Sequence, residues 1–187
     1  VIARSSLASP ATSDGGERVY TARRAARVLL VDAADRVLLF AGFDPGRPEH
    51  RYWFTPGGGL RPDESPAVAA ARELAEETGL RLDPAAVGEP VRRETVEYPF
   101  DGVWYRQEQE FFLVRVPSWE VDTAGFDDVE QASVTGHRWW SVPELAASSD
   151  RYYPADLPDL LSGVLPGVAG APGDGPAGTA SAGGAAC

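Results

Sequence analysis

The 187-residue chain contains no lysine: all 17 of its basic side chains are arginine. Its formal net charge is −11, and neither a basic stripe nor a basic amphipathic helix breaks the acidity. Nonspecific attachment to nucleic acid or to an anionic membrane is therefore not expected. Arginine forks suit phosphate, although the Ala, Gly and Pro content beside them points to GC-rich coding as the ordinary cause of this bias. The single cysteine, Cys187, is the last residue, so no intrachain disulfide forms and the thiol content gives no sign of an oxidising compartment. No apolar stretch is long enough to cross a bilayer, and residues 1–18 lack the continuous apolar core of a secretory signal. A cytoplasmic location is the simplest inference. Methionine is absent too, and Val1 stands where it is usual, as an alternative start codon or a trimmed fragment would each give. Large apolar groups run out again after Leu165, where Gly, Ala, Pro and Ser dominate. Residues 1–18 and 166–187 are expected to be disordered, leaving one domain over 19–165. The 43% hydrophobic content is enough for that domain to bury a core.

What the chain does have is a dense motif between Gly58 and Leu80. Glu73, Glu76 and Glu77 stand at i, i+3 and i+4, so a helix projects their carboxylates from one face within a turn. Three like charges there repel. A hard divalent cation with oxygen ligands at about 2.1 Å turns the repulsion into coordination. Ser65 can cap the helix, Pro66 fits its first position, and Gly79 can end it in the left-handed conformation. Ala67, Ala70, Ala71, Leu74 and Thr78 form a stripe that can lie on a sheet, leaving the acidic face open to solvent and ligand. Arg72, four residues before Glu76, is placed to orient a carboxylate. Gly57, Gly58 and Gly59 follow a predicted strand, Tyr52 to Thr55, and free a backbone carbonyl to turn toward the metal. A tight turn followed by a solvated acidic helix is the bland reading. Matching seven specified residues at fixed spacing has a chance probability on the order of one in a billion per starting position, which overturns it.

The pattern Gly58, Glu64 and then Arg72-Glu73-Leu74-Ala75-Glu76-Glu77-Thr78-Gly79-Leu80 resembles a complete Nudix box, the signature of the Nudix hydrolases. The resemblance implies an α/β fold, an α/β/α sandwich around a mixed central sheet with a loop-helix-loop catalytic motif. It implies Mg²⁺- or Mn²⁺-dependent hydrolysis of a phosphoanhydride in a nucleoside diphosphate linked to another group. It makes Glu73, Glu76 and Glu77 metal ligands, the Gly57 carbonyl a further ligand and Glu64 a supporting acid. Some family members add an acid from a loop before the last core strand. Here that loop runs from Asp122 to Gly136, and Glu130, beside Asp127 and Asp128, is its only glutamate. Glu130 and Glu73 are the candidates for general base, with Glu108 and Glu110, on one face of a strand, as metal or substrate support.

Elsewhere, Ala25 to Val31 and Val37 to Phe43 read as a hairpin, and Val91 to Tyr98 with Val103 to Val116 as a second one, turned at Phe100-Asp101-Gly102. Arg138 begins a last short strand, and Pro143 to Ala147 and Leu157 to Leu165 read as helices covering the other sheet face. The Asp44 to Arg51 loop is expected to wall the substrate cleft. Arg51, Trp53 and Arg106 are the substrate-binding candidates. Arg47, Phe54, Tyr98, Trp104, Tyr105 and Trp139 are further ones, most of the aromatics being core. The expected partner is a nucleotide-type small molecule, with a homodimer possible. Two rivals are a noncatalytic ligand sensor on the same fold, which predicts an eroded acidic helix, and a prenyl diphosphate isomerase, which needs a cysteine in the site.

Overall fold

Ala25 to Val31 has Arg27 as its only polar side chain, and a strand this apolar is stable where both faces are covered. The computed structural model, which describes residues 18–165, places this run in β1 (Thr21–Val31). The expected disordered segments lie outside the described residues, apart from Arg18, as does Cys187. Along β1 the two-residue period sends Ala26, Val28 and Leu30 into one core and Leu29 and Val31 into another.

The order of elements is β1, β2 (Val37–Asp44), β3 (Arg47–Phe54), α1 (Pro66–Thr78), α2 (Pro84–Val87), β4 (Arg92–Phe100), β5 (Val103–Arg115), α3 (Asp128–Ser133), β6 (Val134–Trp140), α4 (Val142–Ala147), β7 (Tyr152–Tyr153) and α5 (Leu157–Val164). One mixed sheet runs β4-β5-β1-β2-β3-β7, with β6 added on β2. β1 and β5 are parallel over their shared length, from Thr21 against Tyr105 to Val31 against Arg115. Helix α1 packs its Ala69, Ala70, Ala71 and Leu74 on one face, while Val142, Leu145, Leu157 and Leu161 of α4 and α5 cover the other. This is the expected α/β/α arrangement. Among the described residues no helix is long and apolar enough to cross a membrane.

Two expectations are corrected. β1 and β2 meet only at Val31 against Val37, because β6 and β3 take the edges of β2 while β5 and residues 56–60 take those of β1. The Asp44 to Arg51 stretch is largely strand. Its turn is tied by Asp44, whose carboxylate accepts from the Gly46 amide at 3.0 Å and from Arg47 Nε at 3.1 Å, and the chain can pair with β2 directly after it.

Asp44 also accepts from the Asp101 amide at 2.8 Å, clasping the tip of the β4–β5 hairpin to the β2–β3 turn. Asp101 and Gly102 both have positive φ, the backbone that the Asp-Gly signal predicts for a two-residue turn. Burial alone would raise the Asp44 carboxyl, but the Asp101 amide, Arg47 and the Gly46 amide outweigh it and hold it below the ordinary aspartate value of 3.8. Asp44→Ala is expected to cost about 1–3 kcal/mol, the penalty for stranded buried donors, and Asp44→Asn less, in urea unfolding at pH 7. A carboxyl depressed in the fold stabilises it above the unfolded-state value and ceases to do so as pH falls through the folded one. The difference between wild type and Asp44→Ala should therefore shrink only below about pH 4.

Candidate active site

The site is assembled on α1. Ser65 caps the helix by accepting from the Val68 amide, Pro66 occupies its first turn, and Gly79 ends it at φ 72°. Ahead of it, residues 56–60 run antiparallel to β1. The Val28 amide donates to Pro56 O, Ala26 to Gly58 O, and Leu60 to Arg24 O, at 2.8, 3.0 and 3.0 Å. Gly57 lies against the β1 backbone at φ 122°, where a Cβ would stand 2.2 Å from the Ala26 carbonyl oxygen. No other residue fits.

Gly57 donates its amide to Glu77 Oε2 at 2.7 Å, and its carbonyl accepts from Arg27 Nη1 at 2.6 Å. Arg72 binds both oxygens of Glu64, at 2.8 and 2.9 Å, and donates to Glu73 Oε1, Glu76 Oε2 and the Gly59 carbonyl at 2.8, 2.9 and 3.0 Å. One guanidinium thus fixes the loop to the helix. The Glu64 carboxyl is held below its usual value by that fork, against the effect of burial.

Glu130 arrives by a separate route. The Thr78 carbonyl at the end of α1 accepts from the Trp119 indole at 2.8 Å and the Asp122 amide at 3.1 Å, and Gly125 lies so close that a Cβ would meet the Glu76 carbonyl oxygen at 2.3 Å. Asp127 then caps α3, and Glu130 closes the reciprocal capping box by accepting from the Asp127 amide. Glu130 therefore sits on a short helix rather than in a loop.

One oxygen from each of Glu73, Glu77 and Glu130 lies within 4.8 Å of the other two. The expected open acidic face is corrected here, since Glu73 and Glu77 are 7% and 3% exposed. Glu76 is not among the three, and its carboxylate is shared by Arg72 and by Arg61 at 3.0 Å. Burial pushes the Glu77 carboxyl well above its usual value, with the charges of Glu73 and Glu130 adding to the effect. Burial likewise raises Glu73, against Arg72, and Glu130. Crowded, buried and oxygen-only, these donors fit a hard divalent cation.

Other candidates fall elsewhere. The alternation of β3 puts Trp53 on the face away from α1, edge-on to Trp140 at 5.1 Å and bonded to Asp150, so it is not brought to the acids. Arg106 is paired with Glu97, Arg47 with Asp44, and Arg51 lies 5.7 Å from the Phe43 ring centre. Tyr98 stacks on Tyr105, Trp104 meets Tyr20 edge-on, and Phe54 and Trp139 pack against the α1-side core. Glu108 and Glu110 line a cleft of about 290 Å³ with Arg24, Leu60, Pro66 and Arg93, and Glu110 pairs with Arg93. Sequence reasoning passed over Arg27, whose signal was a lone charge in an apolar run.

A carboxyl whose pKa is raised by folding favours the fold below its unfolded value, here 4.5, and opposes it increasingly as pH rises through the folded one. The metal-free protein should lose stability on this account above about pH 5. Mg²⁺ or Mn²⁺ should raise Tm more at pH 8 than at pH 5. Glu77→Gln should raise the metal-free Tm at pH 8 by about 2–5 °C and remove most of the metal response, as read by circular dichroism melts.

A family model described as the NUDIX domain matches residues 21–158. An RNA pyrophosphohydrolase of Erythrobacter litoralis (strain HTCC2594) is 41% identical over 78 residues, which is 37% of this chain and 48% of that protein. The match thus spans about half the length of the relative. Among solved structures, a MutT protein from Methanosarcina mazei Go1 superposes with a TM-score of 0.56 at 19% identity, covering 76% of this chain and 92% of that one. A MutT NUDIX hydrolase from Burkholderia pseudomallei gives 0.53 at 19% identity, with 78% and 99% covered. These two show a shared fold. With the family model extending from β1 into α5, around an intact acidic helix, the chain belongs to the Nudix hydrolase family.

Proposed function

We propose that the protein is a divalent-metal-dependent pyrophosphohydrolase that cleaves a phosphoanhydride in a nucleoside diphosphate linked to another moiety. The observation that carries this reading is the convergence of Glu73, Glu77 and Glu130, from two separate elements, within 4.8 Å. Those three side chains would hold Mg²⁺ or Mn²⁺; of the further ligands expected from the sequence, the Gly57 carbonyl accepts from Arg27 and the Glu76 carboxylate from Arg72 and Arg61. When bound, such an ion supplies Lewis-acid charge neutralisation and lowers the pKa of water.

The chain's own groups account for the rest of the chemistry. Arg72 keeps Glu73 and Glu76 in place without approaching the substrate, since its donors are spent on Glu64, Glu73, Glu76 and Gly59. Glu130, one of whose oxygens accepts from the Asp127 amide, and Glu73 are the two candidates to take a proton from the attacking water. Burial raises the pKa of both carboxyls above the ordinary glutamate value. The sensor alternative is disfavoured by the intact carboxylates. The isomerase alternative needs a thiol, and no cysteine occurs among the described residues.

The Erythrobacter relative is named for action on RNA, so a substrate panel should include pyrophosphorylated RNA beside ADP-ribose, nucleotide sugars, dinucleoside polyphosphates and oxidised nucleotides. Release of a monophosphate with Mg²⁺ or Mn²⁺ is expected for at least one, and rearranged diphosphate or binding without turnover would contradict the reading. Glu77→Gln should lower kcat by about 100-fold or more, beyond what loss of an outer-shell partner costs, while the far-UV spectrum stays native.

A further inference from the structure

Most arginines on the described surface spend their charge on a carboxylate, as Arg36, Arg61 and Arg138 do. Arg27 differs. It interrupts the apolar run of β1, and among the described residues no carboxylate oxygen lies within 4.0 Å of its guanidinium nitrogens. Its hydrogen bond is the one from Nη1 to the Gly57 carbonyl, which leaves most of a guanidinium's five N–H donors unspent. Although the side chain is part-exposed, protein surrounds the charged end closely enough that desolvation pulls its pKa down, a pull reinforced by Arg23 and opposed by Tyr98, Glu77 and Glu73.

A role in holding the glycine loop does not explain it. Residues 56–60 are already fixed to β1 by three backbone hydrogen bonds. Pairing with the acids does not explain it either, because no oxygen of Glu73 or Glu77 lies within 4.0 Å of its guanidinium nitrogens. What the structure does supply is registration: Gly57 gives its amide to Glu77 and its carbonyl to Arg27, so one peptide unit on each side of Gly57 sets the cation beside the acid cluster. An anionic ligand lying against that cluster meets a preorganised fork suited to phosphate oxygens.

We propose that Arg27 is a substrate-binding residue whose unspent donors engage nonbridging oxygens of the diphosphate. This rests on the pyrophosphohydrolase reading of the acid cluster. The probe is methylenebisphosphonate, a noncleavable diphosphate, titrated calorimetrically into the Mg²⁺-loaded full chain. Arg27→Gln should weaken its binding by about 10-fold or more, the range for a charged hydrogen bond. Arg27→Lys should recover only part of the loss. Mn²⁺ affinity, read by electron paramagnetic resonance, and Tm should stay near wild type, and KM for any cleaved substrate should rise more than kcat falls. Unchanged bisphosphonate binding in Arg27→Gln overturns the proposal. So does a parallel loss of Mn²⁺ binding or thermal stability, or a wild type that binds no bisphosphonate. A wild type that binds it through Arg27 but hydrolyses nothing rejects the activity and keeps the phosphate site.

Discussion

Three carboxylates within 4.8 Å of one another, two of them buried, repel by a few kcal/mol per pair at the effective dielectric of a protein. Much of the molecule is arranged around that repulsion. Helix α1 cannot turn its acids to water, because Ala69, Ala70, Ala71 and Leu74 are committed to the sheet. The acids are instead stabilised individually: Glu73 by Arg72, Glu77 by the Gly57 amide, Glu130 by the Asp127 amide. Each keeps capacity for a further partner. A cluster in which every member is tethered while the group remains anionic is preorganised for a cation and unfavourable without one.

Arginine does two distinct jobs in this arrangement. Arg72 is saturated: every carboxylate it touches is locked, so it acts as a strut between the glycine loop, Glu64 and the helix. Arg27 is anchored by one carbonyl and otherwise uncommitted. The same side chain is structural where its fork is filled and receptive where it is not. This distinction depends on hydrogen-bond partners, and composition alone gives no access to it.

The helix and its caps were legible because local chemistry determines them: Ser65, Pro66 and Gly79 act within a few residues of where they stand. The two cores are built from side chains that alternate along β1, β2 and β5, a pattern visible in the sequence but not read there as two separate cores. Pairing was less legible. The partner of β1 is β5, some eighty residues away, and no local signal distinguishes it from β2. Which face Trp53 would take was not legible for a related reason, since strand periodicity says which residues share a face without saying which face meets the acids. Burial of the glutamates was also missed, because acidic side chains at helical spacing ordinarily face solvent.

The segment from Trp119 to Ser133 grips the C-terminal end of α1 at its start and delivers Glu130 near its finish. Its landing point is the Thr78 carbonyl, and Trp119, Val121 and Phe126 pack it onto the α1-side core. Phe126, between Gly125 and Asp127, packs edge-on against Phe40 at 5.4 Å, and α3 runs straight into β6, so the position of that acid is tied to the sheet at both ends. The third carboxylate is therefore set by the packing of the sheet itself, while the glycine loop that receives Glu77 is set by the β1 backbone.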